Sequence, residues 1–120
     1  MIIKNLAFVF TSAPYGSHYG REMLDLALAA SAYDQVISLF FLGDGLFQLQ
    51  KGQDPSSFYD KNPSKIFAGL DLYEIERVFV RASDLQRFNR QATDIIGSPT
   101  VLSDSQFLQA INEQDQVVTA

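Results

Sequence analysis

Residues 6–10 hold no polar side chain, and residues 36–42 hold only Ser38. Apolar runs this short fit strands covered on both faces, as the inner strands of a parallel sheet are. Between them, residues 21–33 are rich in Leu, Met and Ala, with Glu22 and Asp25 early, where a helix dipole favours anions. Parallel strands need a crossover that reverses the chain, and a helix is the usual one. Strand, helix, strand at the outset therefore commits the chain to an α/β design.

The remainder extends the alternation. Residues 46–50 read as a short helix and 51–62 as a polar loop. Asn62-Pro63 starts a helix running to about Leu70, with Asn as cap and Pro at the first helical position. Residues 77–81 read as a third strand. Ser83 or Asp84 is expected to cap a helix over 85–90. Residues 100–102 form a fourth strand, Asp104 caps a helix to Ile111, and 116–119 form a fifth. The expected fold is a three-layer α/β/α sandwich with a mostly parallel, five-stranded sheet. With 120 residues and no linker or repeat, residues 1–120 are expected to form one domain. The uncharged apolar start is too short for a signal peptide, so a cytoplasmic location is expected.

Composition narrows the chemistry. The sequence holds no Cys, which removes disulfides, thiolate metal sites and thiol catalysis. The net charge is -5, so a nucleic-acid backbone would be repelled overall, and direct nucleic-acid binding is not expected. Ten Phe and five Tyr are a heavy aromatic load for this length, enough to supply an interface as well as a core.

The first helix adds to that reading. Residues 26–33 carry no charge over more than two turns, whereas a helix on one sheet face should show a polar outer stripe. Cover by a second chain is the expectation, with Leu24, Leu26, Leu28 and, beyond the helix, Phe47 as candidate subunit contacts.

Ligands in open α/β sheets bind beyond the carboxyl ends of the strands. The loops after residues 10 and 42 supply Ser12, Tyr15, His18 and Asp44 as candidate pocket residues. The first loop carries Gly16 and Gly20, yet its spacing meets neither the P-loop nor the dinucleotide fingerprint. His18 is the sole histidine and cannot form a metal site alone. As a base it has no recognisable nucleophile to activate. Asp44, between two glycines, reads best as a cap for the helix that follows. Arg77, Arg81, Arg87 and Arg90 form the one basic cluster. Arg77 and Arg81 share a side of their strand, and ion pairs with Glu74, Glu76 and Asp84 are the ordinary expectation.

Three stretches carry a resemblance. Residues 7–16 (AFVFTSAPYG) with Gly20-Arg21-Glu22, residues 40–49 (FFLGDGLFQL) and residues 69–76 (GLDLYEIE) resemble the DsrE/DsrF-like family, in its DsrF-like branch. The resemblance implies a heterohexamer of paralogous B-, C- and D-type subunits, two copies of each. Its implied role is a sulfur relay that ends in 2-thiolation of the tRNA wobble uridine. Sulfur-carrying members hold their working Cys just after the third strand, where this chain has Arg81 or a neighbour. The resemblance therefore implies a non-catalytic, accessory subunit without cofactor. The alternatives are a DsrF-like subunit of a sulfur-oxidation complex, a homo-oligomeric small-ligand binding module, and an enzyme using His18 and Asp44.

Overall fold

A computed structural model describes residues 4–13, 19–33, 35–49, 70, 75–97 and 99–119, with Tyr19, Gly20, Arg21 and Ala92 described by backbone alone. The strands are β1 (Asn5–Phe10), β2 (Val36–Phe41), β3 (Arg77–Arg81), β4 (Thr100–Leu102) and β5 (Gln116–Thr119). The helices are α1 (Tyr19–Ser31), α2 (Ala82–Arg87) and α3 (Asp104–Asn112), and a 3₁₀ turn spans Gly43–Leu49. The expected loop and helix over 51–69, with its Asn62-Pro63 start, lie outside the described residues. Leu70, where that helix was to end, is buried.

The sheet order is β4-β3-β2-β1-β5, with every neighbouring pair parallel. Alternation along the strands sorts side chains to two faces. Phe8 and Phe10 of β1, Ile37, Leu39 and Phe41 of β2, and Val80 of β3 join α1, α2 and the 3₁₀ turn in one core. Ala7, Val9 and Phe40 point the other way and meet Phe107 of α3. Strands buried on both faces explain the unbroken apolar runs. Phe10 and Phe41 stack at 4.7 Å, while Phe40 stacks on Phe79 at 5.0 Å and meets Phe107 edge-on at 5.3 Å. Much of the aromatic load is thus spent inside the chain.

Helix α1 sorts its own side chains. Met23, Leu24 and Ala27 are buried against the sheet, a spacing of one and four residues that suits one helical face. Leu28 is half-buried against the same core. Leu26 is 50% exposed and Tyr33, just past the helix, 71%. This corrects the grouping of Leu24 with Leu26: Leu24 is 1% exposed and taken up by the chain's own core. Residues two apart on a helix do not share a face.

Candidate functional site

The carboxyl ends of β1, β2 and β3 meet around the 3₁₀ turn. The Leu42 amide donates to the Phe10 carbonyl at 3.0 Å, drawing the end of β2 against the end of β1. The turn can follow only with glycine in two places. Gly43 has φ +57, a left-handed conformation that costs other residues about 1 kcal/mol or more. At Gly45 an added Cβ would lie 1.8 Å from the Phe10 carbonyl oxygen, so the backbone itself forbids a side chain. Gln48, buried at 5% exposure, donates through Nε2 to the Ser12 carbonyl at 2.9 Å and fixes the start of the loop after β1.

Arg81 closes β3, and Asp84 rises from the first turn of α2. Their pair is bidentate, with Nε to Oδ2 at 3.0 Å and Nη2 to Oδ1 at 2.8 Å. Two parallel bonds of this kind fix orientation as well as charge. Asp84 also accepts the Gly43 amide at 2.9 Å. It is 1% exposed, while the Arg81 side chain keeps 27% of its surface in solvent. On its other side the Arg81 guanidinium lies 5.9 Å from the Phe107 ring.

Burial is the strongest single influence on the Asp84 carboxyl and pushes its pKa up. The Arg81 hydrogen bonds, the Gly43 amide and the charges of Arg81 and Arg87 together outweigh it, and the group is held below its ordinary value. The Arg81 pKa is raised in turn, first by the bond to Asp84, against an opposing effect of burial. The site is therefore a locked ion pair that ties β3 and α2 to the turn after β2.

Several expected roles move to other residues. Asp44 is exposed inside the 3₁₀ turn and makes no hydrogen bond to a described residue, so it is not the cap. Asp84 performs that task from a distance of 41 residues, by accepting the first amide of the turn. Helix α2 starts at Ala82 after Arg81, with no side-chain cap, so neither Ser83 nor Asp84 caps it. Ser83 instead donates to the Asp104 carboxylate. That leaves Ser103, not Asp104, to cap α3 in a reciprocal capping box with Gln106. The sequence carried this last signal as Ser-x-x-Gln at residues 103–106. Nothing local marked Asp84 as the partner of Gly43.

Of the candidate pocket, Ser12 is half-buried and bound through its carbonyl, and Asp44 is exposed. Tyr15 and His18 lie outside the described residues. Phe47 is half-buried, with its ring 4.8 Å from that of Phe88. Arg77 and Arg81 do share the α3 side of β3. Arg77 donates to Ser38 Oγ at 2.9 Å and lies over Phe79, one residue pair along from Arg81 over Phe107. Among the described residues no group of three or more His, Asp or Glu side chains could hold a metal, and no helix is long and apolar enough to cross a membrane.

A parallel three-layer α/β protein, with a locked ion pair at its strand ends and no thiol in its sequence, is the class these features define. The family model for the DsrE/DsrF-like family matches residues 4–120. A TusC homolog protein of Vibrio parahaemolyticus is 36% identical over 98% of this chain and 99% of its own length. Another, from Vibrio vulnificus, is 34% identical over the same shares, and one from Aliivibrio fischeri is 34% identical over 97% and 98%. The crystal structure of the ychN protein from E. coli superposes with a TM-score of 0.83 at 20% identity, covering 98% of this chain and 100% of that one, a likeness of fold alone. The chain belongs to the DsrE/DsrF-like family.

Proposed function

We propose that this chain is a non-catalytic subunit of a cytoplasmic sulfur-relay complex that supports 2-thiolation of the tRNA wobble uridine. In this reading residues 1–120 act as one domain, beside B-type and D-type paralogues in a heterohexamer with two copies of each. The observation that carries it is at the end of β3. There Arg81, which the family resemblance sets nearest the sulfur-carrying Cys of active members, is held in two hydrogen bonds by a buried carboxylate. A guanidinium is neither a nucleophile nor a persulfide carrier, and no Cys elsewhere in the sequence could substitute. What such a chain can offer is a rigid scaffold and a surface.

The surface reading rests on α1. Leu26 and Ala29 of α1 and Tyr33 just past it are exposed, an outward stripe that carries no charge after Glu22 and Asp25. Leu26→Arg leaves the core of the chain untouched, so the isolated variant should keep its circular dichroism. In the assembly it would bury an unpaired charge, at about 3–5 kcal/mol.

The test is co-purification of the tagged full chain from its native lysate, with mass spectrometry and light scattering. Two small paralogues, one with a Cys after its third strand, are expected with wild type and not with Leu26→Arg. A chain that emerges alone sinks the relay reading. Loss of 2-thiouridine from tRNA on deleting the gene, restored by wild type, identifies the pathway. Unchanged tRNA alongside intact co-purification would instead favour the sulfur-oxidation complex.

A further inference from the structure

Residues 75–90 hold four arginines against two carboxylates, Glu76 and Asp84. The stretch is net +2 in a chain of net -5, so the remainder carries -7. Ordinary surface arginines in an acidic protein find carboxylates nearby. Here only Arg81 makes a direct ion pair among the described residues, while the charge of Arg87 reaches Asp84 without contact. Arg87 and Arg90 are seated on aromatic rings instead.

The seat is built from two elements. Phe47 of the 3₁₀ turn and Phe88, just after α2, are both half-buried and pack ring to ring at 4.8 Å. The Arg87 guanidinium lies 4.8 Å from the Phe88 ring centroid, and that of Arg90 lies 5.8 Å from Phe47. Arg90 Nη1 donates to the Phe88 carbonyl at 3.2 Å, which fixes its approach. Arg87 is exposed and donates to no described residue. A guanidinium over a ring spends its face on the π system and keeps its N–H edge for planar anions. The stacking also removes part of the rotamer freedom that makes surface ion pairs weak.

We propose that the Phe47–Phe88 ledge with Arg87 and Arg90 is a docking site for an acidic peptide segment of a partner protein, one presenting adjacent carboxylates beside an apolar side chain. Charge complementarity identifies the occupant. A nucleic-acid backbone extends its charge well beyond two arginines and would meet the -7 of the remainder, whereas a short peptide meets only the ledge. The ledge shares Phe47 with the candidate subunit contacts, but the inference stands apart from the sulfur-relay reading, which rests on the α1 stripe and not on the α2 corner.

The experiment measures anisotropy of a fluorescein-labelled peptide of alternating Glu and Phe on the full-length chain, with the matching Gln–Phe peptide as control. The Glu peptide should bind, and more weakly at high salt. The double substitution R87Q/R90Q should weaken binding by about fivefold to tenfold. K4E changes net charge by the same amount at the other end of the sheet and should leave binding unchanged. Three results overturn the proposal: equal binding of Glu and Gln peptides, equal loss in K4E, or no binding by a folded wild-type chain. Tighter binding of a single-stranded RNA through the same arginines overturns it too, in favour of nucleic acid. None of these outcomes alters what co-purifies with the chain, so the two readings fail separately.

Discussion

The two faces of the sheet are built unequally. On one face α1, α2 and the 3₁₀ turn bring Met23, Leu24, Ala27, Leu46, Leu49 and Leu85 onto the strands, so each buried side chain has buried neighbours on other elements. On the other face the buried cluster among the described residues is Ala7, Val9, Phe40 and Phe107, and α3 supplies only the last of them. Ala110 and Ile111 support it from half-buried positions. Strand β5, which α3 leads into, is exposed throughout. Depth of cover thus differs across a single sheet, and local stability should differ with it.

The sharpest way to break the comparison is Phe107→Ala. Removing the one fully buried ring of α3 should cost about 3–5 kcal/mol. Hydrogen exchange should quicken in α3 and β5 while α1 stays protected. Uniform loss of protection across both faces would show that the layers are not separable. Gly45→Ala tests the thick side at its tightest point. The new methyl would meet the Phe10 carbonyl oxygen, at about 3 kcal/mol or more. Here the turn and the ends of β1 and β2 should loosen together in urea denaturation, and a neutral result would deny that close approach.

Asp84→Asn reads the seam between the faces, because α2 provides Asp84 on one side and Arg81 reaches Phe107 on the other. The expected loss at neutral pH is about 1–3 kcal/mol. The pH dependence follows from the depressed folded pKa of Asp84. The unfolded carboxyl takes up its proton first as pH falls, so the stability contributed by the pair is present above about pH 4 and is lost as pH drops through the lower folded value. Wild type should therefore weaken more steeply than Asp84→Asn in acid. Parallel curves would mean that the pair contributes nothing to folding.

Much of the layered plan was legible because it depends on local pattern. Continuous apolar runs announced β1 and β2, and the spacing of Met23, Leu24 and Ala27 already contained the inner face of α1. The Ser103–Gln106 capping box was equally readable, three residues apart. The site was less so. Asp44 has every local mark of a cap and does not act as one, while Asp84, distant in sequence, does. The arginines near residues 77–90 were visible as a cluster, but their seats on Phe79, Phe107, Phe88 and Phe47 were not.

By itself the sequence determined the α/β class, the order of the described elements, the absence of thiol chemistry and the charge asymmetry. These follow from composition and from periodicities that one chain segment carries alone. Only the tertiary structure decided which carboxylate meets which donor, which leucine of α1 faces outward, and which arginines rest on rings instead of acids. Those outcomes depend on the order β4-β3-β2-β1-β5, which brings residues 40 or more apart to one sheet edge, and no short-range pattern encodes that proximity.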